Sequence, residues 1–330
     1  MTNKMVVRKK RGVSVGAGVG TLVVAPLALA AGWIAYSTFG INHAAPLPKA
    51  IHADQKFFVG RSGGGLAYYA DTRAPGRPLV LIHSINAAGS AYEMRPLFDH
   101  YRTARPVYAL DLPGFGFSER ADRIYGPQLF EDAIVDFLET QVGQPADVIA
   151  LSLGSEFAAR AARTRPEFFQ SLTMISPSGF AAEPREMDNS SAYQALSYPL
   201  WGRPLYDLIA SRSSIQWFLQ QSFEGPVDQG MIDYDYATAH QPGAHYAPLY
   251  FISGKLFTPD IRTSVYNRLT LPVLVLFDRD YFVSFAMLPA TVKEHPNWRA
   301  VRVYPTRGLP QFEKLDEVTA ALDSFWKESV

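Results

Sequence analysis

A serine at the end of an apolar run is the residue whose setting most clearly predicts chemistry. Residues 148–157 read Val-Ile-Ala-Leu-Ser-Leu-Gly-Ser-Glu-Phe, so Ser152 ends a strand-like run and a helix-forming segment over 156–165 follows. This order suits a nucleophile elbow, a strained turn that needs small residues two positions before and after the serine. Ala150 and Gly154 meet that need. The pentapeptide alone is equally compatible with an ordinary loop whose serine caps the helix.

The elements around this serine alternate between short apolar runs and amphipathic helical segments. Runs too apolar to be half exposed predict a parallel sheet with helices on both faces. From residue 181 to 269 the strand rhythm stops, and helix formers and aromatic residues predict a helical insertion. A short hairpin is expected over 57–70. The predicted later strands are 78–83, 106–110, 147–151, 172–176, 271–277 and 300–304, and the predicted helices are 91–101, 128–142, 156–165 and 314–327.

The composition excludes several classes of function. The 330 residues carry a formal net charge of zero, which argues against nucleic acid as the main partner. The chain has no cysteine, which excludes disulfides and thiolate catalysis. No glycine-rich phosphate loop opens a helix after a strand, so no nucleotide cofactor is expected. No metal is expected either, since only His240 and His245 show even weak ligand spacing.

The N-terminus predicts a membrane anchor. Residues 4–11 hold five basic side chains, and the next 25 residues, 12–36, carry no charge. Such a run is long enough to cross a bilayer, and the charge asymmetry places the N-terminus in the cytoplasm and the main domain outside. A cleaved signal peptide with Ala28-Leu29-Ala30 as its site is the alternative, which gives a secreted or periplasmic protein. The sequence does not determine the oligomeric state.

The order of these elements resembles the α/β-hydrolase superfamily from about residue 57 to the end. A strand at 79–82 ends in His83, where the family has His-Gly beside its oxyanion hole. Residues 111–118 match the D-x-P-G-x-G-x-S loop, and Ser152 lies at the elbow. Residues 273–280 resemble the strand that presents the family's acid. Four motifs in the right order make the resemblance specific.

This resemblance implies roles for individual residues. Ser152 would be the nucleophile, and the backbone N–H groups of Leu153 and Ile85 would hold the oxyanion. His83 would be structural, although Ser84 replaces the family's glycine after it. The triad acid would be Asp280, because Tyr-Phe-Val follows it where the family has P-x-V. Asp278 is the alternative.

The catalytic base departs from the family pattern. The family carries its histidine after the last strand, typically in G-H-x-P-x-x-E. Residues 306–313 read Thr-Arg-Gly-Leu-Pro-Gln-Phe-Glu, so Gly308 occupies the histidine position, and no histidine occurs after His295. A serine hydroxyl is a weak nucleophile without a base.

Three explanations of the missing base stay open from the sequence. A histidine from elsewhere, namely His240, His245 or His295, could reach Ser152. Arg307 or Gln311 could order a water molecule. The chain could also be a pseudoenzyme that keeps the pocket for binding.

The resemblance therefore implies an α/β-hydrolase fold, a mostly parallel sheet with helices on both faces and a helical cap. We expect an anchor over 1–40, a linker over 41–55, a hydrolase core over 56–180 and 270–330, and a cap over 181–269. We expect a serine hydrolase that cleaves an ester, amide or similar bond of a small apolar substrate. The alternative function is a binding or scaffold protein on the same fold.

Overall fold

A computed structural model describes the backbone of residues 16–183 and 190–328, and side chains from residue 28 onward. The chain forms two compact units, residues 1–41 and residues 42–330. The first unit contains helix α1 (Gly16–Phe39). Within the described residues, no helix is both long enough and apolar enough to cross a membrane. The basic residues 4–11 of the predicted anchor and its side chains up to residue 27 lie outside the described residues.

The second unit is built on one eight-stranded sheet in the order β1-β2-β4-β3-β5-β6-β7-β8. Strands β1 and β2 form an antiparallel hairpin, and β2 also pairs antiparallel with β4. All other pairs are parallel. The strands are β1 (Asp54–Gly60), β2 (Gly64–Asp71), β3 (Leu79–Ile82), β4 (Val107–Leu110), β5 (Ala146–Leu151), β6 (Phe169–Ile175), β7 (Val273–Phe277) and β8 (Trp298–Arg302).

Helices cover both faces of this sheet, and six of the described helices fall between β6 and β7, within the segment predicted to be a cap. The helices are α2 (Arg95–Tyr101), α3 (Pro127–Phe137), α4 (Gly154–Thr164), α5 (Ser190–Leu196), α6 (Gly202–Ile209), α7 (Arg212–Ser222), α8 (Gln229–Ala239), α9 (Tyr246–Ile252), α10 (Ile261–Ser264), α11 (Leu288–Glu294), α12 (Pro310–Glu313) and α13 (Leu315–Glu328).

Strand β5 shows how the sheet is buried on both faces. Val148 and Ala150 belong to one apolar cluster, and Ile149 and Leu151 belong to the other. Alternate residues of a strand point to opposite faces, so a continuous apolar run fits only where helices cover both. The predicted mostly parallel sheet with helices on both faces is confirmed.

Three details differ from the sequence prediction. Strand β8 begins at Trp298, two residues before the predicted start. The prediction missed this start because the edge strand is largely exposed and contains charged residues, which hide the apolar pattern of a strand. The predicted helix 128–142 ends in a π-helical turn over Leu138–Val142. Part of the predicted linker packs against the core. Ala50 and Ile51 are buried, and the N–H of Ala50 donates to the Tyr69 hydroxyl at 3.0 Å.

Candidate active site

Ser152 lies in the sharp turn between β5 and α4. Its φ of 51° is in the left-handed region, which non-glycine residues seldom adopt because Cβ crowds the backbone. Two hydrogen bonds hold this turn: the N–H of Ser152 donates to the carbonyl of Ile175 at 2.8 Å, and the N–H of Ser155 donates to the carbonyl of Ser152 at 3.0 Å. The residue is partly exposed. This is the geometry of a nucleophile elbow.

Gly154 explains why the elbow needs a small residue after the serine. A Cβ at this position would lie 2.3 Å from the carbonyl oxygen of His83, a backbone atom that cannot move aside freely. Ala150 is fully buried in β5 on the other side of the turn. The close approach lets α4 begin next to the end of β3.

Two backbone N–H groups near this turn are candidates for holding an oxyanion: Leu153 directly follows Ser152, and Ile85 lies two residues after His83, whose carbonyl approaches Gly154. Among the described residues, neither Leu153 nor Ile85 donates its N–H to any hydrogen bond. Leu153 immediately precedes α4, where helix N–H groups have no partner within the helix. Buried and unpaired N–H groups at such a turn are what oxyanion stabilisation requires.

His83 supports the loop that carries Ile85. Its Nδ1 lies 2.6 Å from the carbonyl oxygen of Ser84, and its Nε2 accepts from the N–H of Leu112 at 2.9 Å. Burial lowers the pKa of His83 to about 4, so the ring is neutral and carries its proton on Nδ1. Both ring nitrogens are occupied, which leaves neither for proton transfer from Ser152.

A buried carboxylate, Glu93, binds the same loop from behind. It accepts from the N–H of Ser84 at 2.7 Å, from the hydroxyl of Ser84 at 2.8 Å and from the side-chain amide of Asn86 at 2.7 Å. Ile85 lies between the two residues that Glu93 holds. Ser84, which replaces the family's glycine after His83, therefore has Glu93 as its hydrogen-bond partner. The sequence analysis did not identify Glu93, since it follows the loop by several residues inside a helical turn.

The two candidate acids have different surroundings. Asp278 is buried and accepts from the guanidinium of Arg302 at 2.6 Å and from the N–H of Thr306 at 3.0 Å. Asp280 accepts from the N–H of Phe282 at 2.7 Å and from the hydroxyl of Ser176 at 2.9 Å. Burial raises the pKa of Asp280 above its usual value. Asp278 is thus engaged in an ion pair, whereas Asp280 is held by neutral donors.

Ser176 is a second residue that the sequence analysis did not single out. It follows β6 with a φ of 46°, and its N–H donates to the carbonyl of Leu276 at 2.9 Å. Its neighbour Ile175 binds Ser152, while its own hydroxyl binds Asp280. Its place at the carboxyl end of a predicted strand was the only sequence signal.

Gly308 lies against Asp280, as the family pattern implies for the histidine position. A Cβ added to Gly308 would be 3.0 Å from Oδ2 of Asp280 and 3.6 Å from Cβ and Oγ of Ser222, the last residue of cap helix α7. A side chain at this position would therefore point at the carboxylate.

The three candidate bases lie elsewhere. His295 precedes the amino end of β8, whereas Ser152 follows the carboxyl end of β5. Because these strands are parallel, the two residues lie at opposite ends of the strands. Both ring nitrogens of His295 face backbone carbonyls. In the cap, Nδ1 of His240 lies 2.7 Å from the carbonyl of Tyr236. His245 packs against Tyr206 and the adjacent tyrosine, and burial lowers its pKa to about 4.

All seven histidines of the sequence lie in the described residues. His43 pairs with Asp207 at 3.0 Å, His52 is exposed, and His100 stands edge-on to its neighbouring tyrosine. None of the seven makes a described hydrogen bond to Ser152 or to Asp280. The described structure therefore brings Ser152, Asp280 and the Gly308 position to the carboxyl ends of the strands, where the one histidine nearby, His83, has both ring nitrogens engaged.

The two residues considered as orienters of a water molecule are also engaged. Arg307 donates to Glu224 at 3.1 Å, and its backbone N–H donates to Glu313 at 3.2 Å. Gln311 is fully buried and donates to the carbonyl of Glu93 at 3.0 Å, while its Oε1 has no partner in the described part of the chain. Within that same part, no cluster of three or more potential ligands is arranged to hold a metal ion.

Four exposed aromatic residues form a rim next to the acid loop. Trp217 and Phe218 come from α7, and Tyr281 and Phe282 directly follow Asp280. Ring centroids lie 6.4 Å apart for Trp217 and Tyr281 and 6.3 Å apart for Phe218 and Phe282. The exposed fractions run from 43% to 62%. Tyr206, in the same segment between β6 and β7, is by contrast buried, and its hydroxyl donates to the carbonyl of Ala87 at 2.6 Å.

Comparison with known proteins identifies the family. Residues 79–321 match the sequence profile of the alpha/beta hydrolase family. An uncharacterized hydrolase of Bacillus subtilis, YugF, is 31% identical over 134 residues, which cover 40% of this chain and 47% of that protein. The match spans less than half the length of the curated relatives.

Solved structures share the fold. A serine hydrolase involved in carbazole degradation, the CarC enzyme, superposes with a TM-score of 0.66 at 16% identity, over 83% of this chain and 98% of that chain. A membrane phospholipase A described as a bacterial virulence factor superposes with a TM-score of 0.67 at 19% identity, over 96% of each chain. At these identities the likeness concerns the fold alone. Since the family match covers most of the sequence, the chain belongs to the alpha/beta hydrolase family.

Proposed function

We propose that this protein is a serine hydrolase that cleaves an ester, amide or similar bond of a small apolar substrate through Ser152. The observation that carries the proposal is the left-handed backbone of Ser152, maintained by its hydrogen bond to Ile175 and followed directly by the unpaired N–H of Leu153. Backbone strain of this kind costs about 1–3 kcal/mol and persists where the surrounding structure enforces it. A merely connecting loop gains nothing from that cost.

In this reaction the hydroxyl oxygen of Ser152 attacks the acyl carbon, and the negative charge that forms on the carbonyl oxygen faces the N–H groups of Leu153 and Ile85. The serine proton must pass to a base, and the leaving group must receive a proton before it departs. Water then releases the acyl group from Ser152 by the same steps. Asp280 would stabilise the positive charge that forms on the base.

An apolar substrate is supported by the aromatic rim beside Asp280. Exposed aromatic side chains grouped at a site favour apolar ligands over strongly hydrated ones.

A fluorophosphonate probe tests the proposal, because it reacts with an activated serine hydroxyl. We expect labelling of the full chain, loss of labelling in Ser152→Ala, and unchanged labelling in Ser324→Ala, which alters an exposed serine on α13. A folded chain that is labelled no faster than Ser152→Ala, both in plain buffer and with imidazole added as an external base, would refute the proposal.

Gly308 favours a second candidate, a non-catalytic binding protein. This function predicts no probe labelling together with binding of an apolar fluorescent ligand that Ser152→Ala leaves unchanged. Labelling of Ser152 decides against it.

A further inference from the structure

The position of Gly308 is not explained by backbone requirements. Its φ lies outside the left-handed region, so an L side chain is allowed there. The atoms nearest to a Cβ at this position would be Oδ2 of Asp280 at 3.0 Å, which would have to shift by a few tenths of an ångström, and Cβ and Oγ of Ser222 at 3.6 Å, an ordinary contact distance. Gly308 is buried. The glycine therefore leaves out a side chain at a place where one would point at a carboxylate.

Asp280 lacks a cationic partner in the described part of the chain. Its oxygens accept only from the N–H groups of Phe282 and Val283 and from the hydroxyl of Ser176. Asp278, two residues earlier, has Arg302. Asp280 is partly buried, and charged side chains that lose part of their hydration are usually paired with an opposite charge. A cation could approach Asp280 from the side of Gly308, where Oδ2 of the carboxylate faces a residue without a side chain.

The same side of Asp280 is linked to Ser152 by two consecutive residues. The carbonyl of Ile175 accepts from the N–H of Ser152 at 2.8 Å, and the hydroxyl of Ser176 donates to Asp280 at 2.9 Å. The nucleophile and the acid are therefore fixed to one short segment at the end of β6. We define the socket as the position beside Gly308 that faces Asp280 and Ser222 and that carries no side chain.

We propose that the socket binds an imidazole-like base supplied from outside the chain, with its N–H donated to Oδ2 of Asp280 and its second nitrogen directed at the hydroxyl of Ser152. This inference rests on the proposed function. The ligand class is a small planar nitrogen base that has both a donor and an acceptor, either free or as part of the substrate.

The reaction balances without any other reagent. As the oxygen of Ser152 forms a bond to the acyl carbon, its proton moves to the free nitrogen of the base and the carbonyl electron pair moves to oxygen. The base, now a cation beside Asp280, returns the proton to the leaving group as the bond to that group breaks. Water attacks the acyl-serine in the same way, which yields acid, alcohol and the unchanged base.

Titration with imidazole is the test, with hydrolysis of p-nitrophenyl butyrate by the full chain as the readout. A positioned general base contributes about 10²–10⁴-fold, so we expect at least a tenfold increase over Ser152→Ala, saturating with imidazole concentration. 1-Methylimidazole has similar basicity but lacks the N–H that Asp280 needs, and we expect it to give no saturable increase. Asp280→Asn should also abolish the imidazole effect.

A linear dependence on imidazole, equal for 1-methylimidazole or equal in Ser152→Ala, would mean solution catalysis and would overturn the proposal. The variant Gly308→His separates this failure from that of the proposed function. If Gly308→His hydrolyses the ester and imidazole does not help the native chain, the serine hydrolase remains and the socket is wrong. If neither is active and the probe does not label Ser152 even with imidazole present, the proposed function itself fails.

Discussion

The substitution Gly308→His should raise ester hydrolysis because it supplies the base at the position that faces Asp280. The new Cβ would lie 3.0 Å from Oδ2 of Asp280, so the carboxylate must shift by a few tenths of an ångström to accept from the imidazole N–H. A general base in place contributes about 10²–10⁴-fold to the rate. We expect kcat/KM for p-nitrophenyl butyrate to increase by about that factor.

The pH profile of Gly308→His gives a second measure of the same geometry. Only the neutral imidazole accepts the serine proton, so the rate should be low at acid pH and rise as the ring loses its proton. A free imidazole has a pKa of about 6.5, and a neighbouring carboxylate raises it while burial lowers it. Asp280→Asn in this background should therefore shift the rise toward lower pH.

The matched control is Gly308→Ala, which adds the same Cβ next to Asp280 without a base. Circular dichroism and urea unfolding establish that both variants fold. Equal rates for the two folded variants, with Ser152 still labelled by the fluorophosphonate, would refute the reasoning, since the acid or the oxyanion donors would then be out of place.

Two further predictions concern the supports of the site. Gly154→Ala should lower the unfolding free energy by about 1–3 kcal/mol in urea titration, because its Cβ would meet the carbonyl of His83 at 2.3 Å, whereas Gly225→Ala, whose Cβ meets nothing closer than 3.8 Å, should change little. Burial raises the pKa of Glu93 to about 7, so the folded state holds a proton that the unfolded state has released between about pH 5 and 7, and stability falls as pH rises through that window. Glu93→Gln should therefore gain stability relative to the native chain from pH 5 to pH 8, and an unchanged difference between the two stabilities would contradict this.

Much of the fold could be predicted because its signals are local. The apolar runs that became β3 to β7 are continuous, and continuous runs fit only strands covered on both faces. The predicted start of β8 is wrong because this edge strand exposes most of its residues to solvent and carries charged side chains, so its sequence has no continuous apolar run. The burial of Ile51 within the predicted linker could not be predicted. Pro46 and Pro48 indicate an extended segment, but they do not indicate whether a side chain a few residues later is buried.

Within the site, the sequence by itself determined the serine turn and the absence of a histidine at position 308, since both depend on residue type and short spacing. The tertiary structure decided which aspartate faces that position: Arg302 engages Asp278 and leaves Asp280 free of any ion pair among the described residues. It also decided that the existing histidines lie elsewhere and that Ser176 and Glu93 support the site. These facts depend on how residues far apart in the chain meet at the carboxyl ends of parallel strands, and hydrogen-bond partners across such distances are set by packing and strand register, which residue types alone do not specify.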